Sequence, residues 1–239
     1  PNMISSSRGT LLLKKICQKS DAIIVLNSQS KRYLEKLTKT PIMIVPNFVD
    51  SHELFIENRK VNPKIETIVY VGGCTREKGC LDIIEAAKIL PDVTFKLIGK
   101  PTEEVITEAQ KVENVILEGV LEQSAVKDEL RNADVFMFLS HFWGEGFSNA
   151  LAEAMGAGLP CIVTDWAANA DMIENGKGGV VLSHVDAESV SEAVGKMENQ
   201  KIRGEFSSFN QNKVRTEYIS RVILDKYVDI YENTLKGKL

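Results

Sequence analysis

Short apolar runs rich in β-branched residues alternate with segments of helical pattern along most of this 239-residue chain. The pair of one strand-like run and one helical segment recurs six times, and the runs are apolar at nearly every position. Strands of this kind lie in parallel sheets that are covered by helices on both faces. The sequence therefore predicts an α/β fold built on a doubly wound parallel sheet.

The predicted elements follow one another with short connections. Strands are predicted at 22–27, 42–45, 67–71, 94–98, 114–117, 135–139, 161–163 and 179–182. Helices are predicted at 28–37, 79–90, 102–111, 123–132, 169–174 and 187–198, and another is predicted to begin near Phe147. A polar stretch at 52–63 has linker character, and 213–235 is predicted to be one long amphipathic helix.

Composition limits the class of protein. The net charge of −4 gives no indication of nucleic-acid binding. The four cysteines have no C-x-x-C spacing, which is typical of a protein of the reducing cytoplasm. Basic residues are frequent in the first fifty positions, where they indicate either a solvated helix face or a weak contact with an anionic membrane or lipid-linked acceptor at the inner membrane face.

Ligands of doubly wound folds bind at the carboxyl ends of the strands, so the turns that follow strands are the candidate sites. The turn at 69–79 lacks G-x-G-x-x-G and G-K-[ST], which argues against a dehydrogenase and a P-loop. It offers Gly72 and Gly73 for close backbone approach and the cations Arg76 and Lys78 near a helix start. These features suit a diphosphate, and the alternative is that both cations are merely exposed.

Two glutamates in the segment 138–160 give a more specific pattern. Glu145 lies in a glycine-flanked loop, and Glu153 lies eight residues later inside a predicted helix. Eight helical residues rise about 12 Å, roughly the reach from a sugar ring across a diphosphate to a ribose. The helix start between them would attract phosphate, and carboxylates accept hydrogen bonds from sugar hydroxyls. Glu153 could instead be a surface residue, but its apolar neighbours indicate a buried helix.

The segment E-G-F-S-N-A-L-A-E-A-M-G-A-G-L-P resembles the E-x7-E signature of the family-4 (group 1) retaining glycosyltransferases of the GT-B fold. V-Y-V-G-G followed by E-K-G, L-I-G, A-D-V-F-M-F-L-S and C-I-V-T-D also match, so the resemblance covers roughly 20–235. It implies that 1–50 end an N-terminal acceptor domain, with I-V-P-N-F-V-D as the crossover. It further implies that 51–212 form the Rossmann-like nucleotide-sugar-binding domain and that 213–239 form a helix returning to the acceptor domain.

The resemblance also implies a reaction and a set of roles. A sugar would pass from a nucleotide-diphosphate-sugar to a hydroxyl acceptor, a glycan or a lipid, with retention. Lys78 would contact the donor phosphates, Glu145 the hydroxyls of the transferred sugar, and Glu153 the ribose; Lys78 and Glu145 are the candidate catalytic residues. The further residues implied to line the donor are Gly72, Gly73, Arg76, Gly99, Gly119, Val120, Leu121, Gly146, Phe147, Ser148 and Asn149.

Two other functions remain open on the sequence alone: a sugar-nucleotide epimerase of the same framework, and a non-catalytic fragment that binds nucleotide-sugar. No D-x-D-like loop stands at a strand end, so no metal or other cofactor is expected. Because the acceptor domain would be represented by only about fifty residues, this chain is expected to bind donor without transferring it.

The chain departs from the family pattern in three places. Gly73 stands where the family often has arginine, and Arg76 is the candidate replacement. Lys100 and Pro101 follow Gly99 where a second glycine is usual. Ala167 and Ala168 replace a glycine pair, which puts the backbone contact made there in doubt, and the neighbouring Trp166 has no assigned role.

Overall fold

The computed structural model describes residues 7–49, 55–56, 59–142 and 144–238. Its strands are β1 (Ile23–Val25), β2 (Ile42–Ile44), β3 (Thr67–Val71), β4 (Thr94–Ile98), β5 (Val115–Gly119), β6 (Val135–Phe138), β7 (Cys161–Thr164) and β8 (Gly179–Leu182). Its helices are α1 (Ser7–Lys19), α2 (Ser28–Glu35), α3 (Cys80–Lys88), α4 (Glu103–Ala109), α5 (Gln123–Asn132), α6 (Asn149–Gly156), α7 (Asn169–Met172), α8 (Ala187–Lys196), α9 (Gln200–Glu217) and α10 (Ser220–Leu235).

Six strands form the principal sheet in the order β5-β4-β3-β6-β7-β8, and every neighbouring pair is parallel. The chain builds outward from β3 through β4 to β5, then returns to place β6 on the other side of β3. The order of the strands therefore reverses between β3 and β6, and the carboxyl ends of these two strands flank the crevice where open α/β sheets bind ligands. The predicted doubly wound parallel sheet is confirmed.

The middle of this sheet is closed to water because every residue of β6 and β7 is buried, and all of them except Thr164 are apolar. Helices α3 and α6 cover it with fully buried side chains such as Ile84 and Leu151. One carboxylate aligns the strand starts: Asp134 accepts hydrogen bonds from the backbone N–H groups of Glu66 (2.8 Å) and Thr67 (2.9 Å). These bonds hold the start of β3 beside the start of β6. The carboxyl ends of the two strands are therefore also held side by side.

The predicted single helix at 213–235 is wrong, since two helices, α9 and α10, occupy 200–235 and meet at Tyr218 and Ile219. Val49 forms a parallel bridge with Ile219, and its N–H donates to the Tyr218 carbonyl at 2.9 Å. Ile219 adopts an extended backbone where this contact is made. The amphipathic pattern of the sequence nevertheless continues from α9 into α10. Helix α9 begins earlier because Asn199 caps it through the N–H groups of Lys201 and Ile202.

The N-terminal part contributes a second, two-stranded parallel sheet of β1 and β2, flanked by α1 and α2. Helix α1 was not among the predicted elements. Much of the predicted linker, at 52–54 and 57–58, lies outside the described residues, and its described part contains no helix or strand. The division at 50/51 and 212/213 stays a prediction, although the second boundary falls inside α9.

Candidate donor site

The crevice between β3 and β6 opens onto the turn that the sequence singled out. Gly72 and Gly73 directly follow β3, and the next turn along the sheet approaches them very closely. Gly99 has a φ of +138°, and a Cβ placed on it would lie 1.8 Å from the Gly72 carbonyl oxygen. Glycine is therefore required at 99, where the absence of a side chain lets the two strand ends meet.

A cation and a carboxylate meet at the crevice although they are 67 positions apart. The Lys78 ammonium lies 2.5 Å from a carboxylate oxygen of Glu145, and the two side chains are 23% and 10% exposed. The Ser140 hydroxyl donates to the same carboxylate oxygen at 3.3 Å. The Lys78 nitrogen also lies 4.6 Å from the centroid of the Phe142 ring, a cation–π distance. The two candidate catalytic residues are thus brought together.

The loop after Glu145 leads into α6, which begins at Asn149 rather than near Phe147. Ser148 caps the helix by accepting from the Leu151 N–H at 3.2 Å, and its side chain is buried. The Phe147 ring is also buried and meets the Tyr218 ring edge-on at 5.4 Å between centroids. Their predicted contribution to a donor site therefore rests on their backbone groups. The Asn149 side chain is exposed and accepts from Asn47 at 3.3 Å.

Glu153 lies in α6 among fully buried neighbours and is itself half-buried. Desolvation raises the pKa of its carboxyl group, and the positive charge of Lys127 opposes that shift. The charged form of a half-buried carboxylate is stabilised by a ligand that donates hydrogen bonds to it. The assignment of Glu153 to a ribose stays a prediction.

Arg76 lies apart from the Lys78–Glu145 pair. Its guanidinium pairs with Glu104 in the first turn of α4, with its Nε 3.3 Å from one carboxylate oxygen, and its side chain is 68% exposed. Nearby, the Gly119 carbonyl accepts from the Gly99 N–H at 2.7 Å, so these two predicted nucleotide-flanking residues are adjacent. Val120 and Leu121 follow Gly119, and Val120 is 76% exposed.

Three residues beside the site had no predicted role. The Trp166 indole N–H donates to the Phe142 carbonyl at 2.8 Å, and the Asn27 amide donates to the Gly146 carbonyl at 2.7 Å. Ala167, at the departure from the glycine pair, has a φ of +51°. The sequence signal at 167 was the family's glycine, which adopts this left-handed backbone freely. Side-chain bonds to backbone carbonyls carry no comparable signal.

The described part of the chain contains no cluster of three or more His, Cys, Asp or Glu side chains arranged to hold a metal ion. Its four cysteines are free thiols, all buried. None of its helices has the length and apolar character needed to cross a bilayer.

The open parallel sheet, with a cation and a carboxylate at its switch point, places the chain in the class of doubly wound α/β proteins. Residues 65–200 match the family model described as Glycosyl transferases group 1. This match spans more than half of the chain, and the chain belongs to that family.

Relatives and solved structures agree with the family. The chain is 25% identical over 206 residues to the capsular polysaccharide biosynthesis glycosyltransferase CapM of Staphylococcus aureus, covering 80% of this chain and 54% of CapM. Sucrose-phosphate synthase from Thermosynechococcus elongatus superimposes with a TM-score of 0.83 at 17% identity, covering 97% of this chain and 63% of the synthase. Anabaena HepE in complex with UDP and glucose superimposes with a TM-score of 0.80 at 14% identity, covering 97% and 69%.

The two structural matches concern the fold alone at this identity, and they confirm it as that of GT-B glycosyltransferases. The chain spans about half the length of CapM.

Proposed function

We propose that this chain is the donor-binding part of a glycosyltransferase that moves a sugar from a nucleotide-diphosphate-sugar to a hydroxyl acceptor with retention. The observation that carries the proposal is the Lys78–Glu145 pair at the switch point of the sheet. In this assignment Lys78 binds the diphosphate, Glu145 the sugar hydroxyls and Glu153 the ribose. The family match favours transfer over epimerisation.

The proposed chemistry follows from charge. The departing diphosphate gains negative charge as its bond to the sugar breaks, and fixed positive groups in a site of low exposure stabilise that charge. Lys78 supplies a full charge, and the free N–H groups at the start of α6 supply a partial one. No step in this scheme needs a metal, so donor affinity should be the same with and without EDTA. A loss of affinity with chelator that Mn²⁺ restores would contradict this part of the proposal.

Calorimetry on the 239-residue chain tests the assignment of the glutamates. Because HepE is known with UDP and glucose, UDP and UDP-glucose are the first ligands, followed by the GDP and ADP pairs. Glu153→Gln should weaken both ligands of the pair that binds, at about 1.5–3 kcal/mol per charged hydrogen bond lost. Glu145→Gln should weaken only the sugar-bearing ligand.

Glu129→Gln is the matched control, since Glu129 is a half-buried glutamate of α5 that pairs with Lys96 of β4 at 2.7 Å and is not among the predicted donor residues. It should leave both affinities unchanged. Equal losses for both ligands in both site variants would refute the division of roles, and no binding of any nucleotide at millimolar concentration would refute the site.

Transfer itself is proposed to need the acceptor domain. The donor alone contacts groups of one domain, whereas reaction requires an acceptor held in line with the sugar. We therefore expect the 239-residue chain to bind donor but to release no sugar to glycan or lipid acceptors. Turnover by this chain at rates typical of enzymes would contradict that expectation.

We also propose a weak contact of α1 with an anionic membrane surface. Leu11 and Ile16 are each 55% exposed on this helix, and the neighbouring Lys15 and Lys19 are exposed as well. Cosedimentation with vesicles should then require anionic lipid and should be lost in Lys15→Glu/Lys19→Glu. Equal sedimentation with neutral and anionic vesicles would argue against the contact.

A further inference from the structure

We propose that Trp166 is a positioning residue of the donor site, acting through the carbonyl oxygen of Phe142. This inference rests on the proposed function, because it concerns the placement of Glu145 and Lys78. Trp166 follows β7, and Phe142 follows β6, so the contact joins the ends of two neighbouring strands on one side of the crevice.

One carbonyl oxygen receives two donors. The Phe142 oxygen accepts from the Trp166 indole N–H at 2.8 Å and from the backbone N–H of Glu145 at 3.0 Å. The second bond links the Phe142 carbonyl to the backbone of Glu145. The first bond links the same carbonyl to Trp166, which follows the next strand of the sheet. Trp166 therefore fixes the orientation of the peptide group against which the Glu145 backbone is held.

Phe142 also contacts the other charged member of the site. Its ring lies 4.6 Å from the Lys78 nitrogen, and its N–H donates to the Ser140 hydroxyl at 3.2 Å. That hydroxyl in turn donates to the Glu145 carboxylate at 3.3 Å. Anchoring the Phe142 carbonyl thus restrains a residue whose ring contacts Lys78 and whose oxygen accepts from the Glu145 N–H. Its own N–H reaches the Glu145 carboxylate only through the Ser140 hydroxyl.

The segment that carries Trp166 is itself well fixed. The Trp166 carbonyl accepts from the Asn169 N–H at 3.0 Å, and the fully buried Asn169 amide donates to the Thr164 hydroxyl at 3.3 Å. That hydroxyl donates to the Ser140 carbonyl at 2.6 Å. Ala167, directly after Trp166, holds a left-handed φ of +51° and is buried. A backbone strained in this way persists only where its surroundings determine it, as at preorganised sites.

The indole suits this role because it has a single N–H, which only donates, on a ring with few rotamers. Trp166→Phe keeps most of the ring and removes the donor. We expect this variant to bind a sugar-bearing donor about threefold to tenfold more weakly. Its affinity for the bare diphosphate should fall less, and that for the nucleoside should be unchanged, because Glu153 lies on another element.

The experiment compares wild type, Trp166→Phe and Gln200→Ala by calorimetry with UDP-glucose, UDP and uridine, or with the GDP or ADP series if wild type prefers one. Gln200 is the matched control because its amide donates to the Val61 carbonyl at 2.7 Å, far from the crevice. Urea midpoints report the stability of each variant. The proposal predicts a graded loss in Trp166→Phe alone, and equal losses for the three ligands would overturn it.

Hydrogen exchange at the Glu145 amide gives a second readout that does not depend on any ligand. If Trp166 fixes the acceptor of that N–H, exchange should be faster in Trp166→Phe by at least about threefold and unchanged in Gln200→Ala. Unchanged exchange would overturn the proposal. Failure of wild type to bind any donor, together with faster exchange in the variant, would refute the proposed function and leave the positioning role supported.

Discussion

Gly79 joins the turn after β3 to α3, and adding one methyl group there tests how tightly this turn packs against the end of β6. It is the N-cap of α3, with a φ of +78°, and a Cβ on it would lie 2.2 Å from the Leu139 carbonyl oxygen at the end of β6. A left-handed alanine costs about 1–2 kcal/mol, and forcing the backbones apart costs about 1–3 kcal/mol more. Reduced entropy of the unfolded chain offsets about 0.4–1 kcal/mol.

Gly79→Ala should therefore lose about 1–4.6 kcal/mol of unfolding free energy, or about 2–18 °C in Tm for a chain of this size. The matched control is Gly73→Ala, six positions earlier in the same turn. A Cβ on Gly73 would meet nothing within 4 Å, and its φ is not left-handed. That variant should stay within about 0.5 kcal/mol of wild type.

Urea denaturation followed by circular dichroism measures both variants. Similar losses for Gly79→Ala and Gly73→Ala would refute the reasoning, since composition and secondary-structure position would then explain the cost without the contact at Leu139. UDP affinity should respond differently from stability in Gly73→Ala. The exposed Gly73 faces the proposed diphosphate, so the methyl group should weaken UDP binding while leaving the fold intact.

Three further outcomes are expected. Burial raises the pKa of the Glu153 carboxyl, so wild type loses stability as pH rises from the ordinary glutamate value of about 4.3 through the raised pKa, whereas Glu153→Gln does not; urea midpoints should therefore shift in favour of the variant as pH rises above about 4.3, and parallel pH profiles would contradict this. Asn27→Ala should weaken donor binding, because it leaves the Gly146 carbonyl without its 2.7 Å partner; Ser20→Ala, at an exposed helix end, serves as control. Lys78→Ala should weaken UDP binding more than uridine binding and flatten its salt dependence, and an equal deficit for both ligands would mark Lys78 as structural.

The sheet was predictable because its strands are short, apolar and separated by clear helical patterns, so local sequence and tertiary structure agree. Helices α9 and α10 were not, because their break depends on the contact of Val49 with Ile219, about 170 positions away in sequence. The amphipathic pattern continues past Tyr218, and the long-range bridge lies at the point where the helix is interrupted.

In the site, too, the features with local sequence motifs were predictable and those that depend on long-range contacts were not. Lys78 and Glu145 were identified through motifs, each within its own turn, and the topology of the sheet then required those turns to meet. Their direct pairing depends on side-chain rotamers, and the anchoring of Phe142 by Trp166 depends on a backbone oxygen, so neither has a sequence signature. At Ala167 the sequence indicated an unusual position, because the family has a glycine there. The structure gives this alanine the left-handed backbone that a glycine adopts freely.

The Lys78–Glu145 pair explains why the proposed site would distinguish a sugar-bearing donor from a bare diphosphate. A phosphate that takes Lys78 as its partner leaves the Glu145 carboxylate, which is only 10% exposed, with the Ser140 hydroxyl alone. Leaving a largely buried charge without its partner is costly. Sugar hydroxyls can replace the lost ammonium as donors to Glu145, but a free diphosphate offers none. The ion pair therefore favours binding of the sugar-bearing donor over the bare diphosphate, and replacing Glu145 by glutamine should reduce that discrimination by weakening the binding of the sugar-bearing ligand.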